Sequence, residues 1–316
     1  MTKHKKILFS ILILTFFSIQ AAKSIHTIKS LNYVTFAKYA GEQTLNISHY
    51  EITSIKWSRN PITDLPRCYS HLAFKIYGGS DFSNAHFTVT LDGSSACADI
   101  TSLKAGFNLV QGFIVISDYQ DFGVSNLMKC YLTAKSSYGF VYAYSEFSYK
   151  VDLPRYLDER VASLYITPNN PEIKNLVENI TGSSSYLPRW LALLNWVSSN
   201  INYKYDIESH GRSEFWQLPI ETINLGTGDC EDYAILLCSL YRAAGYDENS
   251  VYVILGYTKN VGHAWVRIYA QVGGIGTWVN IEPQVGGILS VFYGLIDITM
   301  YDDVFQFNDV YFARLK

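Results

Sequence analysis

Gly226-Thr-Gly-Asp-Cys-Glu-Asp-Tyr-Ala-Ile-Leu-Leu-Cys-Ser-Leu-Tyr-Arg-Ala-Ala-Gly245 decides how this chain is read. A glycine-bearing turn leads into an apolar run. There Ala234, Leu237, Cys238 and Tyr241 recur at i, i+3, i+4 and i+7, the spacing of one buried helix face. Asp229 is the expected N-cap with Asp232 three residues on, and Gly245 the expected stop. Cys230 then falls in the first turn, where unpaired backbone N–H groups and the helix dipole favour negative charge. The expected effect is a lowered thiol pKa and a larger share of the nucleophilic thiolate. A lone cysteine is usually a small buried hydrophobe. Cys238, on the apolar face, fits that role; Cys230, between Asp229 and Glu231, does not.

A nucleophilic cysteine needs a base, and the base needs an orienting partner. The C-terminal half holds two histidines, His210 and His263. His210 lies in the polar stretch Glu208-Ser-His-Gly-Arg212 and reads as a solvated loop residue. His263 sits in Gly262-His-Ala-Trp-Val-Arg-Ile-Tyr269, which alternates like a strand. A second strand-like run follows, Thr277-Trp-Val-Asn-Ile-Glu-Pro-Gln284. The turn Gly273-Gly-Ile-Gly276 makes the two a hairpin and would bring Glu282 beside His263.

The order GxGDCEDYA…RAAG, then GHAWV, then WVNIEPQ, resembles the transglutaminase-like superfamily, and in particular its archaeal and bacterial transglutaminase-like cysteine proteases. The similarity runs over roughly residues 160–285. It includes the lead-in Arg189-Trp…Trp196-Val…Ile201-Asn-Tyr-Lys-Tyr-Asp206 and the stretch Phe215-Trp-Gln-Leu-Pro219. The resemblance implies a papain-like α+β fold and a Cys–His–Asp triad in chain order, carried over here to Cys230, His263 and Glu282. The third member is Glu where the family usually has Asp, with Asn280 as the fallback. A side-chain oxyanion donor upstream of the cysteine, as in family members, would be Trp216 or Gln217. Core packing competes for Trp216.

At the N-terminus, Lys3, Lys5 and Lys6 precede the almost wholly apolar Ile7–Ile19, the pattern of a secretory signal and short for a membrane span. Residues 1–22 are read as that signal; left uncleaved, it would anchor the chain to a membrane. The expected location is secreted or cell-surface. A formal charge of −3 offers no basic patch for nucleic acid.

Residues 23–152 read as a β-sandwich domain. His71–Tyr77, Ala85–Leu91, Phe107–Ile116, Lys129–Ala134 and Gly139–Lys150 are strand-like, with turn-rich segments such as Asp92-Gly-Ser-Ser95 between them. His49, His71 and His86 are scattered there and form no catalytic set. Val151–Arg160, charged and proline-bearing, reads as a linker. Residues 153–316 are the cysteine-nucleophile domain. Its helices are expected at Pro171–Ile180, Leu187–Asn200 and after Cys230, and its strands at Val251–Tyr257, His263–Ala270 and Thr277–Ile281. The tail, Ile288–Lys316, has strand-like pieces and no functional account. The fold class is therefore multi-domain: an all-β sandwich followed by an α+β domain.

The five cysteines, an odd number, predict at least one free thiol outside the cell. One bridge among Cys68, Cys97 and Cys130 is expected. No cofactor is expected. The acidic flank Asp229, Glu231 and Asp232 reads as capping: calcium needs more oxygen ligands than one short run aims at a point, and zinc finds no second Cys or His at ligand spacing.

The chemistry expected is acyl transfer through a thioester on a protein or peptide substrate, with hydrolysis as the outcome. Crosslinking to a lysine amine shares every step up to the thioester. A catalytically silent binding protein on the same fold is the alternative from another class.

Overall fold

The computed structural model describes residues 36–37, 44–91, 94–183, 187–272, 274–286 and 301–316. The expected signal at 1–22, Asp92, Gly93 and Gly273 of the expected turns, and most of the tail before Tyr301 lie outside the described residues.

The chain divides into two units. The first takes residues 1–55, 69–117 and 123–151; the second takes 56–68, 118–122 and 152–316. Eight strands come first: β1 (Phe36–Ala37), β2 (Leu45–Arg59), β3 (Pro66–Gly78), β4 (Phe82–Leu91), β5 (Ser94–Leu103), β6 (Gly106–Asp118), β7 (Asn126–Ser136) and β8 (Gly139–Tyr149). They form a five-stranded sheet ordered β1-β8-β7-β4-β5 and a three-stranded sheet ordered β2-β3-β6. Period-two alternation drives Met128, Cys130, Leu132 and Ala134 of β7 inward. Between the sheets Phe74 of β3 meets Phe87 of β4 edge-on at 4.9 Å and Phe113 of β6 at 5.3 Å. Such pairs add about 0.5–1.5 kcal/mol each beyond their buried area, so the expected sandwich closes on an aromatic core. β5, absent from the sequence reading, is an edge strand of small and polar residues. Ala96, Ala98 and Ile100 alternate on its less exposed side, and backbone pairing to β4 holds it.

All five cysteines are free thiols, which corrects the expected bridge: Cys68 and Cys130 are buried, and Cys97 is exposed on β5. Burial pushes the Cys130 thiol up, as for a core hydrophobe.

The second unit holds α1 (Pro171–Ser183), α2 (Arg189–Asn200), β9 (Asn202–Tyr203), α3 (Asp206–Ser209), α4 (Pro219–Leu225), β10 (Thr227–Gly228), α5 (Cys230–Ala243), β11 (Val251–Thr258), β12 (Val261–Val272), β13 (Ile275–Ile281), β14 (Tyr301–Phe307) and β15 (Phe312–Arg314). The last five strands form one sheet ordered β13-β12-β11-β14-β15, with every neighbouring pair antiparallel. α5 packs on β11 and β12 with one side and on α1, α2 and α4 with the rest. Hence Tyr233 through Tyr241 are all buried, as an apolar-all-round central helix requires. Full burial of Leu236, Leu237 and Leu240 contributes about 1.5–3 kcal/mol apiece.

Val151–Arg160, the expected linker, starts where the first unit ends and is packed into the second. Leu153 is buried, Arg155 grips Glu221 with contacts of 2.5 and 2.8 Å, and Tyr165 donates to the Pro154 carbonyl at 2.6 Å.

Candidate active site

Cys230 opens α5 as expected. Asp229 is the N-cap, and the Asp232 carboxylate reaches back to accept the Asp229 N–H at 3.3 Å. Gly228 makes this turn sterically feasible: a Cβ there would lie 2.6 Å from the Asp232 Cβ. The Asp232 carboxylate also accepts the Gln217 backbone N–H at 2.7 Å and its side-chain amide at 2.6 Å. The residues flanking the cysteine are therefore tied to the stretch before α4.

The electrostatics around the sulfur run against the sequence expectation. Burial, then Glu231, then Asp229 push the Cys230 thiol upward; the Ala264 backbone N–H pulls the other way and does not compensate. The Cys230 Sγ lies 3.3 Å from Glu231 Oε2, as a thiol donating to a carboxylate. The helix N-terminus is present, but carboxylates in the same turn offset its field. Burial and the flanking carboxylates thus favour the thiol over the thiolate.

His263 lies on β12 opposite Gly256 of β11. Its Nε2 lies 2.7 Å from Glu282 Oε2. The hairpin explains the meeting: β12 and β13 pair Val266 with Ile281, so Glu282 follows beside Trp265, a diagonal neighbour of His263 on the same face. The second oxygen, Oε1, accepts the Tyr301 hydroxyl at 2.7 Å, and the Tyr301 ring packs on Trp265 at 4.8 Å. Tyr301, from the tail, is one site residue that sequence alone does not reveal. Its stretch looked strand-like, but nothing local says that β14 pairs with β11 and so approaches Glu282.

Cys230 and His263 line one cleft of about 610 Å³, together with Tyr203, Trp216, Glu214 and Phe305 among others. The two expected oxyanion donors are already engaged. The Trp216 indole N–H donates to Glu214 at 2.7 Å while its ring stacks on Phe307. Gln217 is fully buried, and its amide donates to Asp232 and to the Thr227 carbonyl. Trp216 is thus core packing that also faces the cleft, and Gln217 is a buried tie. Asn280, the fallback for Glu282, accepts from Arg267 Nε at 2.8 Å. His210 is half-buried rather than fully solvated: it stacks on Phe215 at 4.0 Å, and burial lowers its pKa.

A cluster of carboxylates surrounds the start of α5. Asp206, Glu214, Asp229, Glu231 and Asp232 are all raised in pKa by burial first; neighbouring carboxylates add to the rise at Asp206, Glu214, Glu231 and Asp232, while hydrogen bonds only partly offset burial at Asp229, and Asp206 is raised to about 6. Asp206, Asp229 and Asp232 each offer an oxygen, and these lie within 4.8 Å of one another; Asp229, Cys230 and Glu231 make a second such group. Buried oxygens of Asp206, Asp229 and Glu231 lack a hydrogen-bond partner. Oxygens of this kind suit a hard cation. The sequence reading had missed Asp206, which reaches the group from α3 rather than from the cysteine helix.

Residues 174–283 match the family model Transglut_core, the transglutaminase-like superfamily. No curated protein matches the chain. Among solved structures, EGTA-treated LapG of Legionella pneumophila is 19% identical, with a TM-score of 0.34 and a match covering 51% of this chain and 88% of that one. Calcium-bound LapG of the same organism is 18% identical, with a TM-score of 0.31 and coverage of 45% and 87%.

Proposed function

Residues 174–283 being a transglutaminase-like superfamily domain, we propose that the chain is an exported cysteine-dependent acyl-transfer enzyme that hydrolyses a peptide or amide bond through Cys230, His263 and Glu282. The observation that carries this reading is the 2.7 Å His263–Glu282 contact at a cleft whose lining includes Cys230. Glu282 engages Nε2 and fixes the tautomer, so Nδ1 is the nitrogen that serves the sulfur.

With burial and Glu231 favouring the thiol, the step begins with transfer of its proton to Nδ1 as substrate enters. The thiolate adds to the scissile carbonyl carbon and the carbonyl π pair moves onto oxygen. The oxyanion takes the Cys230 backbone N–H at the start of α5. Collapse expels the amine, which leaves with the imidazolium proton, and the acyl group stays as a thioester on Cys230. Water, deprotonated by His263, then releases the acid. Glu282 stabilises the charged ring throughout.

Export is supported by Lys3, Lys5 and Lys6 ahead of Ile7–Ile19. Among the described residues, no helix is long and apolar enough to cross a membrane.

The test is acetylation of Cys230 by p-nitrophenyl acetate, followed by intact-protein mass spectrometry. The expected result is a transient acetyl adduct on Cys230 that is lost in Cys230→Ala and slowed by roughly 10²-fold or more in His263→Ala. Acetylation of Cys230 that is indifferent to His263→Ala overturns the reading. Resolution of the thioester by added methylamine in preference to water would move the outcome from hydrolysis to crosslinking.

A further inference from the structure

The tetrahedral oxyanion needs more than one donor, and the two side chains nearest in sequence to that role are spent on Glu214, Asp232 and Thr227. The cleft supplies another. β9 pairs in parallel with β10, placing Tyr203 beside Gly228, two residues before Cys230. Two backbone bonds of 2.9 Å fix the pairing: Asn202 N–H to Gly226 O and Lys204 N–H to Gly228 O. The Tyr203 ring meets Tyr205 edge-on at 5.3 Å and lies against Tyr233 at 6.2 Å. Tyr233 is itself tied through its hydroxyl to the Ile201 carbonyl.

Tyr203 therefore stands on a braced platform, lining the same cleft as Cys230 and His263. Among the described residues its hydroxyl has no protein hydrogen-bond partner. Tyr203 is 46% exposed, yet partial burial and then the Cys230 sulfur still push its hydroxyl above the ordinary phenol range, so it stays a hydrogen-bond donor. Tyr205 and Tyr257 also line the cleft. Only Tyr203 stands on the strand pair that leads directly into Cys230.

We infer that Tyr203 is a catalytic oxyanion donor, its hydroxyl completing with the Cys230 backbone N–H the hole that receives the carbonyl oxygen. This rests on the acyl-transfer reading above. The thiolate forms the S–C bond as the carbonyl π bond opens onto oxygen. Tyr203 donates a hydrogen bond to that oxygen and keeps its proton. On collapse the C–N bond breaks, and the leaving amine takes its proton from His263. The requirement is for a donor that waits uncommitted and pre-positioned, which is what distinguishes this hydroxyl from the engaged Trp216 and Gln217.

Two reagents separate the oxyanion from the nucleophile. Acetylation by p-nitrophenyl acetate passes through a tetrahedral oxyanion; alkylation by iodoacetamide displaces iodide and forms none. In full-length Tyr203→Phe the acetylation rate of Cys230 is expected to fall on the order of 10²-fold, while the alkylation rate stays within about twofold of wild type. Acetylation at the wild-type rate in Tyr203→Phe overturns the Tyr203 assignment and leaves the acyl-transfer reading standing. Equal slowing of acetylation and alkylation also overturns it, because Tyr203 would then act on the sulfur rather than on the oxyanion. Failure of the wild-type chain to acetylate at Cys230 removes the acyl-transfer reading, and the Tyr203 assignment with it.

Discussion

Tyr301 gives its hydroxyl hydrogen to Oε1 of Glu282 at 2.7 Å, so the carboxylate that holds His263 is itself held from the far side. A hydrogen bond to a charged group is worth about 1.5–3 kcal/mol, enough to select one rotamer of Glu282. Tyr301→Phe is expected to slow Cys230 acetylation about tenfold, with a drop in folding stability no larger than that hydrogen bond. Stopped-flow release of p-nitrophenolate and a denaturant melt on the same preparation measure the two effects. An unchanged rate with lowered stability would make Tyr301 structural only.

Glu282→Gln keeps the shape of the side chain but removes the charge facing the imidazolium. The expected loss in acetylation rate is on the order of 10²-fold or greater, larger than for Tyr301→Phe. A smaller loss than in Tyr301→Phe would reverse the proposed order of dependence.

Glu231 is the first-ranked charge raising the Cys230 thiol, after burial itself. Glu231→Gln removes that repulsion, lowers the thiol pKa and enlarges the thiolate fraction at neutral pH. Iodoacetamide labelling of Cys230 at pH 7.5 should accelerate, and the inflection of its pH–rate profile should move down. A profile that stays in place would assign the shift to burial alone.

The carboxylates around α5 set an unusual dependence of stability on pH. Asp206, Glu214, Asp229, Glu231 and Asp232 have folded-state pKa values above their unfolded ones. Between those two values the folded chain binds more protons than the unfolded chain, so stability falls as pH rises. For Asp206 that window runs from about 3.8 to about 6. In EDTA-containing buffer the melting temperature should be higher near pH 5.5 than at pH 8. A melting temperature that climbs steadily from pH 5.5 to pH 8 would contradict this sign.

Gly256 faces His263 on one neighbour and Asp303 on the other. A Cβ there would lie 2.1 Å from the Asp302 carbonyl and 2.9 Å from the Trp265 ring. Gly256→Ala must push β14 away from β11, at a cost of about 1–3 kcal/mol, and draw Tyr301 off Glu282. It should therefore lower both the melting temperature and the acetylation rate, a combination that a differential scanning melt and the acetylation assay check together.

What could be read in advance follows from how local each determinant is. The α5 helix, its Asp229 cap and the β12–β13 hairpin are written in nearest-neighbour periodicity and turn chemistry, and they brought His263 to Glu282. Tyr301 and Asp206 were invisible as site residues because each arrives by a long-range pairing or packing with no local mark. The direction of the thiol pKa is illegible for another reason. A helix N-terminus can be read from sequence, but the depth at which Asp229, Glu231 and the sulfur are buried together cannot. That Trp216 and Gln217 carry donors is legible, but whether either donor is free depends on Glu214 and Asp232, their partners.

Residues 56–68 and 118–122 belong to the unit that carries the cleft, although the bulk of that unit is 152–316. Asp64 accepts the Asn169 N–H at 2.7 Å, the Thr63 carbonyl accepts from Asn170 at 2.8 Å, and Tyr119 donates to Glu221 at 2.6 Å. A gene fragment that begins at residue 152 would omit all three partners. The enzyme-like half of this protein is therefore not a cassette that recombination can lift out with one cut. The chain threads in and out of this unit before its main body is made, so a single cut in the gene leaves those three bonds unmade.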